Sequence, residues 1–238
     1  MKIIATPHPP TAVAAALSNH MAAAPERPRL LLVAGGSLPQ QVLPHVSQET
    51  FGPHITVCVF DERCTTDPAG SNQQQLASTT WYHAALECGV QELPVTVTAE
   101  AQCAAVAADW ERALRRYTVD QPDGEVIVLA GVGADGHIAG ILCHTPAETP
   151  VFTDSAWIVH HRFADTDNQY PARITPTFTG WREAVDRTFI YIDGAAKAQA
   201  VAAIQAATGD LYTTPARILR ELPRCELYTD APMVPIEP

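Results

Sequence analysis

Residues 131–144, Gly-Val-Gly-Ala-Asp-Gly-His-Ile-Ala-Gly-Ile-Leu-Cys-His, put an aspartate and a histidine on a turn crowded with glycines. The apolar run 125–130 precedes them, so the turn falls where a buried strand should end. Read literally, Gly131-x-Gly133-x-x-Gly136 has the spacing of a dinucleotide fingerprint. Three features oppose that reading. Two strand–helix units come before the segment, Pro146 cuts short any helix after it, and Asp135 would set a negative charge against a pyrophosphate. An Asp-Gly-His turn offers something else: the neutral imidazole of His137 can take a proton from water while the Asp135 carboxylate orients it. A lone histidine is more often structural. One on a glycine-rich turn at the ligand end of a strand reads as a general base.

Other groups could share that chemistry. Gly35-Gly36-Ser37 follows the apolar run 29–34, where glycines permit close approach, successive N–H groups can nest an anion, and Ser37 adds a hydroxyl. The same residues would equally serve a plain strand-to-helix turn. Asp61-Glu62-Arg63-Cys64 follows the run 54–60 and is either a solvated loop or a polar site wall, while Ser71 suits a helix N-cap. Arg173 and Lys197 sit where cations could meet an anion over the sheet's edge, although surface solvation explains any single cation as well.

These residues need a frame. Continuous apolar runs at 29–34, 54–60 and 125–130 suit strands covered on both faces. Helical stretches at 11–24 and 99–117 alternate with them. Strands are further expected at 156–160, 173–178, 188–192 and 225–228, with Pro176 placing the second of these at an edge or making it irregular. Helices are expected at 195–207 and from Pro215. The alternation predicts an α/β fold in one domain, a doubly wound and mostly parallel sheet with helices on both faces. In such a sheet ligands bind beyond the carboxyl ends of the strands, which gives the loops above their weight.

Composition narrows the partners. The 238 residues carry 15 Lys and Arg against 26 Asp and Glu, a net charge of −11. That balance argues against wholesale binding to nucleic acid or an anionic membrane, but permits an anionic small molecule where a few cations converge. No apolar run approaches the length of a membrane span and prolines interrupt the N-terminal segment, so a cytoplasmic protein is expected. Six cysteines without a C-x-x-C pair read as reduced thiols. Cys143, His144 and His137 lack ligand spacing, and no metal is expected at the site.

Taken in order, the motifs resemble those of the 6-phosphogluconolactonases, within a superfamily that includes the glucosamine-6-phosphate deaminases. Ala34-Gly-Gly-Ser-Leu-Pro39 is similar to the family's Ser-Gly-Gly-Ser-Thr-Pro phosphate loop. Phe60-Asp-Glu-Arg-Cys64 with Ser71-Asn72 is similar to its Asp-Glu-Arg and Ser-Asn pair, and Gly131-x-Gly-x-Asp-Gly-His137 to its central motif. Pro171-Ala-Arg-Ile-Thr175 and Gly194-x-x-Lys197-Ala198 match the downstream arginine and lysine motifs. Leu142 stands where the deaminases place a catalytic glutamate, and Arg63 where they tend to carry tyrosine, so the lactonase branch is the nearer one. Leu38 replaces the loop threonine, and residues 140–144 depart from the usual Ser-Leu-Phe-Pro-Gly-like run.

The resemblance implies hydrolysis of 6-phosphoglucono-1,5-lactone without a cofactor. Its implied catalytic set is His137, Asp135 and Arg63. Its implied substrate and phosphate contacts are Gly35, Gly36, Ser37, Asp61, Arg173 and Lys197. The protein would be a monomer or homodimer. A deaminase-like enzyme, a non-catalytic sugar-phosphate binder and a nicotinamide-dependent oxidoreductase are the rival readings.

Overall fold

The computed structural model describes residues 1–153, 155–163 and 169–231. Its ten strands are β1 (Lys2–Ala5), β2 (Arg29–Val33), β3 (Ile55–Val59), β4 (Glu62–Arg63), β5 (Gln91–Glu92), β6 (Glu125–Gly131), β7 (Ile158–Arg162), β8 (Ala172–Pro176), β9 (Arg187–Ile192) and β10 (Cys225–Thr229). Seven form one parallel sheet in the order β1-β10-β9-β6-β2-β3-β5. All five residues of β2 and six of the seven in β6 are buried, as continuous apolar runs under cover on both faces should be.

After β2 the chain builds outward through β3 and β5; from β6 it builds the other way through β9 and β10. Strand order therefore reverses between β2 and β6, and the crevice beyond their carboxyl ends is the topological switch point where such sheets bind ligands. The α/β, doubly wound architecture expected from the sequence is the one the chain adopts.

Seven helices accompany the strands among the described residues: α1 (Pro9–Ala22), α2 (Leu38–Gln41), α3 (Asn72–Ala77), α4 (Thr80–Glu87), α5 (Cys103–Asp120), α6 (Phe178–Ala184) and α7 (Ala198–Gln205). Helix α1 packs on β9 and β10, and α3 on β3. The long α5 covers β7 and β8, which join β4 in a separate three-stranded antiparallel sheet, order β4-β8-β7.

Several expectations change. The proline-bounded N-terminus supplies an edge strand, β1, which pairs with β10 through a register no local pattern encodes. β8 is the central strand of its sheet, not an edge; Pro176 is its last residue, so the missing N–H falls where the ladder ends. The helix expected from Pro215 is a 3₁₀ helix, Pro215–Arg220, and the start of the one expected at 195–207 is also 3₁₀, Ala195–Lys197. Cys64 and Cys103 are not free thiols but a disulfide, their Cα atoms 6.0 Å apart across 39 residues of sequence. Cysteine spacing could not reveal that pair, because only the packing of α5 over the small sheet brings it together.

At the opposite end of the sheet from the switch point, Glu125 is buried among three arginines and a histidine. Its carboxylate meets His20 Nε2 at 2.7 Å, Arg27 at 3.4 Å, Arg187 at 3.4 Å and the fully buried Arg29 at 3.7 Å.

Candidate active site

Three strand ends converge at the switch point, and each delivers its residues by a different local device. After β2, Gly36 takes φ +74°, a left-handed conformation that favours glycine, and Gly35 passes so close to Asn72 that a Cβ would sit 2.1 Å from its Oδ1. Among the described residues the N–H groups of Gly35, Gly36 and Ser37 donate to no protein acceptor. Helix α2 spans four residues only, so the cradle relies on its own amides and not on a helix end. Ser37 caps no helix N–H; its hydroxyl meets the Tyr191 hydroxyl at 2.5 Å.

After β3 the charged triplet proves to be a site wall. Glu62 is buried and accepts four hydrogen bonds: Arg63 N at 2.7 Å, Asn72 N at 2.8 Å, Gln73 N at 2.8 Å and Ser71 Oγ at 2.9 Å. One carboxyl thus pins β4 to the start of α3, where Ser71 also caps by accepting from Gln74 N. Burial raises the Glu62 pKa even against those donors. Asn72 donates to the Asp61 carbonyl at 2.9 Å, and its own Oδ1 is buried beside the cleft without a partner among the described residues. The Arg63 guanidinium donates to the Gly70 carbonyl at 2.9 Å and lies 5.4 Å from the Tyr170 ring centre, which leaves it aimed rather than free to wander. Asp61 is buried; burial pushes its carboxyl up, opposed by the nearby charges of Arg173, Arg63 and His137.

After β6 the glycine spacing is accounted for by a turn that doubles back. Gly133 N donates to the His137 carbonyl and Gly136 N to the Gly133 carbonyl, both at 3.0 Å, with Gly136 at φ +96°. No described helix opens here to hold a pyrophosphate, and the next one in the chain is the 3₁₀ turn Pro150–Phe152. His137 Nδ1 lies 2.7 Å from Asp135 Oδ1, which also accepts the His137 N–H at 3.1 Å. The hydrogen bond from His137 is the main cause that draws the Asp135 carboxyl down to about 2. A Cβ on Gly133 would sit 2.1 Å from His137 Nδ1, so the ring needs that glycine to lie as it does. Ala139, two residues on, holds a left-handed φ of +51°.

These pieces enclose an open cleft of about 180 Å³. It is smaller than the roughly 300–1,000 Å³ of drug-sized sites. Gly35, Gly36 and Ser37 line one side; Asp61, Arg63 and His137 line it too, and Lys197 completes it. The cradle and the imidazole share a single opening. Lys197 Nζ stands 5.6 Å from the Tyr191 ring centre, and burial lowers its pKa.

Asp135 is the hydrogen-bond partner of His137. Arg173, buried on β8 opposite Arg63 in the antiparallel register, acts by its charge on Asp61, which lines the cleft. Arg162, unplaced by sequence, pairs with Glu100 at the surface, and His161 Nε2 lies 3.1 Å from the Gly140 carbonyl. Sequence reading passed over Tyr191, which its place near the carboxyl end of β9 could have flagged, and quoted Asn72 only within the Ser-Asn motif without assigning it to the cleft.

The family described as glucosamine-6-phosphate isomerases/6-phosphogluconolactonase matches residues 10–225. No curated protein sequence matches the chain. Among solved structures, the chain is similar to a 6-phosphogluconolactonase from Shewanella baltica, with 18% identity, a TM-score of 0.70 and 96% of each chain covered. It is similar to that of Trypanosoma brucei at 20% identity and TM-score 0.69, covering 95% of this chain and 94% of that one. A monomeric glucosamine-6-phosphate deaminase aligns at 16% identity and TM-score 0.66, covering 96% and 97%. At these identities the likeness establishes the fold.

Proposed function

The chain belongs to the glucosamine-6-phosphate isomerase/6-phosphogluconolactonase family, and within it we propose that this protein hydrolyses 6-phosphoglucono-1,5-lactone to 6-phosphogluconate. One observation carries the reading: an imidazole whose Nδ1 is engaged by Asp135 shares a small cleft with a glycine cradle and a lysine. With Nδ1–H donated to the carboxylate, Nε2 is left as the basic nitrogen.

In the proposed reaction, water adds to the lactone carbonyl at C1 while His137 Nε2 takes its proton. The C1 oxygen becomes the oxyanion of a tetrahedral intermediate. As the carbonyl re-forms, the bond from C1 to the ring oxygen breaks, and the proton passes from His137 to that oxygen, leaving the open-chain acid. Positioned proton transfer of this kind contributes roughly 10²–10⁴-fold. Arg63, tethered to the Gly70 carbonyl, is the donor nearest in kind to an oxyanion stabiliser, whose loss costs on the order of 3 kcal/mol. The amides of Gly35–Ser37 and the ammonium of Lys197 would hold the phosphate, so that binding energy far from C1 sets C1 beside the base. The substrate would be the protein's small-molecule partner, and no cofactor is required because a lactone is an activated ester.

Leu142 leaves the deaminase position for a catalytic glutamate without a carboxyl, which supports the lactonase branch. The test is direct. Purified protein should accelerate acid release from freshly prepared lactone above its spontaneous hydrolysis, and His137→Ala should lose about 10²–10⁴-fold in kcat with the fold retained. An alanine variant as fast as the parent would remove His137 from the chemistry. Ammonia release from glucosamine 6-phosphate, without lactone turnover, would move the protein to the other branch.

A further inference from the structure

Behind the wall that carries Arg63 lies a second group of chemically capable side chains. Cys64 follows β4, Cys103 is the first residue of α5, and His160 lies on β7. One donor atom from each falls within 4.8 Å of the others. Cys103 is fully buried, Cys64 nearly so, and His160 Nε2 is buried without a hydrogen-bond partner among the described residues. An imidazole nitrogen left dry and unpaired beside two sulfurs needs an explanation that packing alone does not give.

We propose that, once the Cys64–Cys103 disulfide is reduced, these three residues form a binding site for a borderline-soft divalent cation of the zinc class. Two thiolates and one imidazole are a donor set such ions prefer, with a water able to fill the fourth tetrahedral position. Bond lengths of about 2.0–2.3 Å put the donors of such a site roughly 3.5–3.8 Å from one another, within reach by small side-chain rotations from the present arrangement. Cys103 opens an eighteen-residue helix whose positive end favours its thiolate. The balance is simple. A phosphine gives two electrons to the S–S bond and leaves as its oxide with the oxygen of one water, whose two protons complete the thiols; the cation then displaces those two protons to solvent.

The site would join three separate pieces, the strand bearing Arg63, the helix over the small sheet, and β7, so disulfide and metal are two alternative clasps for one wall. It is independent of the lactonase reading and stands or falls separately.

The experiment uses the whole protein, reduced with a phosphine and freed of reductant without oxygen, then titrated with Co²⁺ as a spectroscopic probe and back-titrated with Zn²⁺. One equivalent of Co²⁺ should bring up thiolate-to-metal charge transfer and tetrahedral ligand-field bands, both erased by Zn²⁺. Cys64→Ser and Cys103→Ser should abolish the charge-transfer band. His160→Ala should weaken binding about 10–100-fold, while Cys88→Ser, at an exposed site elsewhere, should leave it unchanged. Circular dichroism of each variant separates lost ligation from lost fold. A reduced protein that gives no thiolate–cobalt band overturns the proposal. So does a band that survives in the Cys64→Ser/Cys103→Ser double variant, or a disulfide that stays closed in the folded protein under excess reductant.

Discussion

At the scale of single residues, the site divides labour between groups that face the cleft and groups that hold them. Lys197 faces it, so Lys197→Ala should raise KM for the lactone while leaving kcat within a few-fold. A pure kcat loss in steady-state kinetics would place the ammonium at the reacting centre instead. Asp135 holds. Its carboxyl, drawn to about 2 mainly by the His137 hydrogen bond, is ionised at every pH where the enzyme would be assayed. Replacing it by asparagine keeps the shape and removes the charge that steadies the imidazolium. Asp135→Asn should therefore lower kcat by about 10-fold or more with KM little changed. A kcat equal to the parent's would mean that Asp135 only shapes the turn.

Elements supply the precision. The turn after β6 works because Gly133 has no side chain where His137 Nδ1 must lie, so Gly133→Ala should displace the ring. Activity should fall at least about 10²-fold, with a melting temperature nearly unchanged, since the turn is partly exposed; a full-activity alanine variant would show the ring free to move aside. Glu62 has the complementary task of welding β4 to α3. Glu62→Ala strands three N–H donors, each costing about 1–3 kcal/mol when unsatisfied, and frees the strand that aims Arg63. A lowered melting temperature together with a weakened kcat is expected in thermal melts and kinetics of the same preparation. Both segments were visible in the sequence as motifs. What no motif disclosed is that the glutamate of the triplet is spent on holding β4 to α3 while Asp61 and Arg63 line the cleft, a split that depends on which side of β4 faces α3.

For the whole molecule, the two ends of the sheet behave differently. The carboxyl end gathers Arg63, His137 and Lys197 around a cleft open to a ligand; the other end buries Glu125 against three arginines and His20. Burial pushes the Glu125 carboxyl up, but the hydrogen bond and charge of His20, with Arg27 and Arg187, outweigh it and bring it to about 2. A carboxyl depressed from the ordinary 4.5 contributes stability that is complete above about pH 4.5 and is lost as the pH falls through 2. Urea denaturation between pH 6 and 2 should show that loss, and Glu125→Gln should flatten it. Glu125→Ala leaves the buried Arg29 charge uncompensated and should cost about 3–5 kcal/mol. No described helix is long and apolar enough to cross a membrane.

The sequence by itself determined the buried strands, the doubly wound class and the turns that could do chemistry. Those features follow from local causes: apolar runs, glycine's left-handed freedom, a carboxylate two residues from an imidazole. Tertiary structure decided the rest, because it depends on which distant segments meet. It set β1 beside β10 and put β8 at the centre of the small sheet. It set the charge of Arg173 against Asp61 and brought Tyr191 and Asn72 to the cleft. It joined Cys64 to Cys103. Strand order and helix packing are sums of weak contacts over the entire chain, and no stretch of a few residues carries that sum.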